Sequence, residues 1–577
     1  MAIRPGFPPT LPACLTLALT FATLALTGFS RLSAHDRPHG PKQKTRSAVV
    51  ARHGMAATSQ PLATAAAIKV LQDGGNAIDA AIAANAVLGV VEPMSCGIGG
   101  DLFAIVWDAK SHKLYGLNAS GRSPYAATRE YFREKHLDSI PIYGPLSWSV
   151  PGCVDGWEAL RARFGTRPLA DLLAPAIAHA EEGFPVSEII AGDWKSGADS
   201  LAKIPSSAEC FLPGGYAPKT GDVFRNPALA QSLRLIAKEG PSGFYRGPIA
   251  EAVVAYSRSV GGLFSRKDFE DHTSTWVEPV STNYRGFDVW ELPPNGQGIA
   301  ALQMLNLLEP HNLKAMGPLS AGALHLMIEA KKLAYEDRAK YYADPDFSKS
   351  PVAKLISKSY AAARAPLINP NRASERPMPG EPGEADTIYM TVVDKDRNCV
   401  SLIQSNFHGF GSDHVPTGLG FPLQNRGSLF ALDPSHANRL EPHKRPFHTI
   451  IPGFVTKGGK PWLSFGLMGG DMQAQGHAQV ICNLVDFGMD VQEAGDLARF
   501  RHLGSSEPTG ERAKDGGQVA LESEISTEVR KALEAKGHRL VESRGGFGGY
   551  QAIRIDLERG VLIGGSDPRK DGCAMGY

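Results

Sequence analysis

Residues 386–405 read DTIYMTVVDKDRNCVSLIQS. Thr387 to Val393 alternate in the manner of a strand, Asp394 to Asn398 are turn formers, and Cys399 to Ser405 alternate again, which is the pattern of a β-hairpin. A turn centred on Asp396 sets Thr387 opposite Ser405, with the two side chains roughly 5 Å apart on one face. A slip of one residue would part them. The preceding stretch, 366–386, reads PLINPNRASERPMPGEPGEAD; it is poor in large apolar groups and predicts an exposed segment. A threonine hydroxyl alone is a weak nucleophile, but a free α-amine on the same residue can act as its base. With a pKa of about 7.7–8.0, such an amine is partly neutral near pH 7. It exists only if the bond before Thr387 is cut. The residues by themselves leave two readings open: an ordinary strand threonine after a loop, or a nucleophile exposed by cleavage.

Working outward, Pro61–Gln72 predicts an Ala-rich helix that stops at Gly74-Gly75, and Asn76-Ala77 opens a second, buried helix to about Val91. Strands are expected at Leu102–Trp107 and Lys113–Asn118, and helices through 150–260, among them Val154–Phe164 and Leu169–Glu182. Phe287–Leu292 reads as a strand, Ile299–Leu308 and Leu324–Tyr342 as helices. Further strands are expected at 399–405, 449–455, 462–466, 550–556 and 560–564, so that a β-rich part follows a helix-rich one. The 577 residues carry 60 basic and 59 acidic side chains, which removes the basic field that nucleic-acid binding requires. A hydrophobic fraction of 43% against 21% charged argues against disorder. Sixty-two glycines and 42 prolines, without a period, indicate a loop-rich globular chain.

Residues 1–34 have the layout of a cleaved signal peptide: Arg4, the apolar run Leu15–Phe29, then small residues before His35. An uncleaved anchor is the alternative, since Leu11–Phe29 is just long enough to span a membrane. The expected location is periplasmic or secreted, with no lasting membrane contact. The seven cysteines are too dispersed for a zinc pattern and read as buried single thiols. G-x-S-x-G, H-E-x-x-H and the Walker loop are absent. Gly296-Gln297-Gly298 reads as a tight turn rather than a dinucleotide fingerprint. Of the seventeen scattered histidines, His35 and His39 have helix spacing but sit in a proline-broken linker and His408 and His414 lack it, so neither metal nor cofactor is expected.

The chain resembles the γ-glutamyltransferase (glutathione hydrolase proenzyme) family of N-terminal-nucleophile hydrolases. The resemblance is carried by Glu92-Pro93 through Gly97-Ile98-Gly99-Gly100, Val150-Pro151-Gly152, Leu292-Pro293-Pro294, Thr387 with Val392-Val393-Asp394, Lys444-Arg445-Pro446, Gly469-Gly470 and Gly565-Ser566-Asp567-Pro568-Arg569. It implies an α+β fold, a four-layer αββα sandwich. It also implies self-cleavage between Asp386 and Thr387 into associated chains 35–386 and 387–577, folded as one unit. Thr387 would then attack a small-molecule amide such as glutathione, with Ser405 beside it and Gly469 and Gly470 donating to the oxyanion. Water or an amine acceptor would remove the acyl group.

Several substrate-binding positions depart from the family pattern. Its early arginine matches Ser120, with Arg122 two places on. The threonine partner of the nucleophile is Ser405, and the asparagine two residues later is Phe407. A glutamine and an aspartate match Arg426 and Leu429, and a serine pair matches His448-Thr449. An acid that would hold an ammonium is lost and a cation gained. These changes resemble the acylase and small amidohydrolase subgroup and suggest a glutaryl or oxamyl group as the alternative acyl part. A third reading, from another class, is an unprocessed, catalytically inactive exported binding protein.

Overall fold

The expected hairpin forms from strands Asp386–Val393 and Cys399–Phe407. The computed structural model describes residues 45–375 and 386–577, with the backbone alone for Asp386. The leader, most of the linker behind it and residues 376–385 lie outside the described residues. Ile388 pairs with Gln404, and the ladder runs without a break to Val393 opposite Cys399, the register that a turn at Asp396 dictates. It shifts at Thr387: Asp386 pairs with Phe407, so Ser405 and Asn406 together oppose Thr387 and the strand after the turn carries the bulge.

This hairpin is the centre of a seven-stranded sheet. In order, its strands are Cys573–Gly576, Met55–Thr58, Asp386–Val393, Cys399–Phe407, Asp101–Asp108, Lys113–Ala119 and Thr275–Val277. A second seven-stranded sheet runs Val49–Ala51, Val561–Ser566, Tyr550–Asp556, Lys460–Leu467, Gly453–Lys457, Phe287–Glu291 and Val280–Tyr284. Both mix strands from before and after Thr387. Helices predominate before 386 and strands after it, as expected, and strands after 386 find hydrogen-bond partners in the first half of the chain.

The two-residue period of the strands sorts their side chains between layers. Ile388, Met390, Val392, Val400 and Leu402 pack under helices that include Pro61–Gln72, Ala77–Val91 and Leu169–Glu182. Tyr389, Val393, Cys399 and Ile403 face Phe454, Ile553 and Leu562 of the second sheet. The outer face of that sheet, with Val289, Val455 and Phe465, is covered by Gly298–Leu308, Ala321–Tyr341 and Met472–Val485. The result is helix, sheet, sheet, helix. Ala77–Val91 is opened by an Asn76–Asp79 capping box and is buried everywhere but at Gly89, which its all-round apolar sequence demands.

One expected strand starts late. Residues 449–452 leave the ladder: Ile451 N–H donates to Gln473 Oε1 at 2.9 Å and Pro452 has no N–H to give, so the strand begins at Gly453. The described cysteines are free thiols; Cys96, Cys153, Cys399 and Cys482 are buried, Cys210 and Cys573 half-buried. Among the described residues no helix is long and apolar enough to cross a membrane.

Candidate active site

Thr387 and Ser405 are both fully buried. Thr387 Oγ1 donates to Ser405 Oγ at 3.1 Å, and the same Ser405 oxygen accepts the Phe407 N–H at 2.8 Å. Ser405 pairs in register with Asp101 on the adjacent strand. The glycines ahead of Asp101 allow that approach: a Cβ on Gly100 would lie 2.3 Å from the Ser405 carbonyl oxygen.

Asp101 anchors the surroundings. Its Oδ1 accepts the Gly121 N–H at 2.9 Å, the Gly152 N–H at 3.2 Å and Gln424 Nε2 at 2.8 Å. Its Oδ2 lies 3.0 Å from His448 Nε2. Burial and the neighbouring Arg426 push His448 down to about 4. The ring is therefore neutral near pH 7, with its proton on Nε2 toward Asp101 and Nδ1 facing the Ile450 N–H at 3.4 Å. Next in sequence, Thr449 Oγ1 accepts Arg426 Nη1 at 2.7 Å.

Arg426 is wholly buried, and burial pulls its guanidinium down to about 9 although Asp101 and Asp471 favour the charge. Nε and Nη2 have no hydrogen-bond partner among the described residues. The Phe407 ring packs against the guanidinium, 4.4 Å from its carbon to the ring centroid. Phe407 reaches this position with φ +81°, a left-handed backbone that a phenylalanine seldom adopts. Phe407, Leu429 and Thr449 line one side of a cavity of about 550 Å³, which Asp471 and Glu507 also border.

Gly469 and Gly470 turn with φ +112° and +55°. Their carbonyls are taken by the Met472 and Gln473 N–H groups in the first turn of Met472–Val485, at 2.9 and 3.1 Å. The pair thus leads directly into the positive end of that helix. Gln297 Nε2 ties the turn to the Arg426 side, donating to Gly470 O at 2.9 Å and Thr449 O at 2.6 Å. Arg338 Nη1 in turn donates to Gln297 Oε1 at 2.9 Å and Asp471 Oδ1 at 2.6 Å, while Nη2 holds Glu507 Oε2 at 2.6 Å. Burial pushes both carboxyls up. Arg338 outweighs it at Asp471, which lies below the usual range, whereas Glu507 stays well above.

The remaining expected residues are engaged elsewhere. Ser120 Oγ donates to Asn118 Oδ1 at 2.7 Å and accepts Asn295 Nδ2 at 3.2 Å. Arg122 binds Asp344 at 3.4 Å, Asp346 at 3.0 Å and the His443 carbonyl. Asp101 and Arg338 were not singled out from the sequence, and Gln297 only as part of a tight turn. Asp101 had a signal, being an acid directly behind the glycine motif at the buried start of a strand; the other two show their roles only through long-range contacts. Outside this region, His325, Glu329 and His538 bring ligand atoms together that could hold a metal ion.

The gamma-glutamyltranspeptidase family model matches residues 63–577. The chain belongs to this family. It is 37% identical to the glutathione hydrolase-like YwrD proenzyme of Bacillus subtilis, over 92% of this chain and 99% of that protein. It is 33% identical to the glutathione hydrolase proenzyme of Escherichia coli, over 98% of this chain and all of that one. The crystal structure of cephalosporin acylase from Bacillus halodurans superposes with a TM-score of 0.86 at 41% identity, covering 94% of this chain and 99% of that chain. The four-layer sandwich is that of the N-terminal-nucleophile hydrolases, and the chain is an amide hydrolase of the gamma-glutamyltranspeptidase family.

Proposed function

We propose that this gamma-glutamyltranspeptidase-family chain cuts itself between Asp386 and Thr387 and then hydrolyses γ-glutamyl amides such as glutathione through a Thr387 acyl-enzyme. The observation that carries the reading is the Thr387 hydroxyl hydrogen-bonded to Ser405 at a strand bulge. In the first reaction Thr387 Oγ1 attacks the Asp386 carbonyl carbon, the peptide C–N bond breaks as an ester forms, and water hydrolyses the ester. This leaves an Asp386 carboxylate and a Thr387 α-amine. That amine then serves as base while Oγ1 attacks the substrate carbonyl. Gly469 and Gly470 N–H groups stabilise the oxyanion, the amine part leaves with a proton, and water or an acceptor amine takes the acyl group. Ser405 holds the nucleophile's hydroxyl throughout.

A second reading concerns the acyl part. Arg426 has two unpartnered nitrogens, enough to hold a carboxylate bidentately, while Leu429 offers an α-ammonium no acid at its own position and the bordering Asp471 and Glu507 are held by Arg338. This favours glutaryl or oxamyl amides, and the fold likeness to a cephalosporin acylase agrees with it. Rates on γ-glutamyl, glutaryl and oxamyl amides of one chromogenic amine decide between the two. A clear γ-glutamyl preference removes the second reading, a glutaryl or oxamyl preference removes the glutathione assignment, and no turnover of any of them by processed protein removes both.

A further inference from the structure

Helix Ala321–Tyr341 presents His325 and Glu329 one turn apart on a single face. His538 meets them from the segment just behind helix Thr527–Ala535. One nitrogen of each histidine and one Glu329 oxygen lie within 4.8 Å of one another, and all three side chains are buried. None of them takes part in the reaction described above.

His325 Nε2 lies 2.8 Å from the Asn369 carbonyl, and its Nδ1 lies 2.8 Å from His538 Nε2. A carbonyl only accepts, so His325 carries its proton on Nε2 and turns the Nδ1 lone pair into the cluster. An outer N–H fixed on a backbone carbonyl is how metal-bound imidazoles are oriented. Ligand distances of about 2.0–2.2 Å suit zinc in a tetrahedral set. Two nitrogens of such a set stand about 3.3 Å apart, so opening the two imidazoles by about 0.5 Å accommodates it, with the His538 proton moving from Nε2 to Nδ1. Glu329 Oε1 faces Lys332 Nζ at 2.8 Å, and its Oε2 accepts the Ser374 N–H at 3.0 Å. Lys332 Nζ also reaches the Ser374 carbonyl at 3.1 Å, so the ammonium keeps an acceptor when a cation takes a share of the carboxylate.

We propose that His325, Glu329 and His538 form a binding site for a divalent cation of the zinc class. Two imidazoles and one carboxylate without a thiolate select zinc or cobalt over magnesium and calcium, and leave a fourth position for water. The ligands and the backbone groups behind them come from both sides of the 386/387 bond. The ion therefore clamps residues 369–374, near the end of the segment before Thr387, to the part of the chain that carries His538.

The test uses untagged full-length protein stripped with a chelator and then desalted. ZnCl₂ is titrated by calorimetry and CoCl₂ is followed by visible absorption, on wild type, His538→Gln and Glu329→Gln. The expected result is one Zn²⁺ per chain, not displaced by excess Mg²⁺ or Ca²⁺, and ligand-field bands with Co²⁺. His538→Gln should bind at least about 10-fold more weakly, and zinc should raise the thermal midpoint of wild type but not of this variant. Hydrolase activity and near-ultraviolet dichroism of the variant confirm that it is folded. Zinc bound equally by wild type and both variants means that surface histidines hold it, and overturns the site. No saturable binding, or no Co²⁺ bands in wild type, overturns it without recourse to any variant.

Discussion

Replacing Asp101 by asparagine tests the anchor on which the Arg426 side of the site rests. Oδ1 receives three N–H donors, so the amide oxygen of the new side chain has to stay there and its NH₂ must face His448 Nε2. That nitrogen now carries a proton, and moving the proton to Nδ1 would oppose the Ile450 N–H. Charge assistance on three bonds is worth about 1 kcal/mol each, roughly 3 kcal/mol together. The donor facing a donor at His448 adds about 1–3 kcal/mol, and the lower desolvation of a neutral amide offsets part of the total. The net expectation is a loss of about 3 kcal/mol, on the order of 100-fold in the folded-to-unfolded ratio. Urea unfolding in a Thr387→Ala background, where cleavage does not complicate the transition, gives the number. The activity of processed Asp101→Asn should fall as well, because His448, Thr449 and Arg426 are held in series. A stability within about 0.5 kcal/mol of the parent would refute the reasoning.

Arg426→Met should raise KM for a carboxylate-bearing acyl amide by about 10–100-fold, the worth of a charge-assisted bidentate pair, and leave a neutral acyl amide unaffected; parallel steady-state kinetics on the two check it. Leu429→Asp should shift preference toward γ-glutamyl over glutaryl amides by supplying a partner for the α-ammonium, read as a ratio of kcat/KM values. The enzyme should lose stability as pH falls from about 6.5 to about 4. His448, His408 and His272 are each held near 4 by burial, so the unfolded chain binds protons in that window while the folded one does not. Urea midpoints across that range should drop steadily, and a flat profile would show that these imidazoles are not held neutral.

The hairpin register was legible because the Asp394–Asn398 turn cluster fixes it from within. The bulge opposite Thr387 was not, since there Ser405 pairs with Asp101 and the Asn406 N–H goes to the Ser95 carbonyl, both far along the chain. Leu429 and Arg426 announced their chemistry in the sequence, but not that Arg426 is sealed under Phe407, which depends on a left-handed backbone at a phenylalanine. Gln297 and Arg338 contact partners far along the chain, and local pattern carries no trace of such pairs. Thr449-Ile450-Ile451 resembles a strand because its apolar side chains are buried, yet Pro452 and Gln473 keep it out of the ladder. The sequence expectation of no metal rested on the scatter of histidines; His325 and Glu329 stood at helical spacing, and only the fold supplies His538.

The central claim is that Thr387 is both the agent and the product of cleavage. Intact-mass measurement of the purified wild type, beside Thr387→Ala, tests it most directly. The account predicts two chains in the wild type, the smaller spanning 387–577 with threonine at its N-terminus, and one uncut chain in the variant. A variant cut at the same bond, or an uncut wild type that hydrolyses amides, would contradict it.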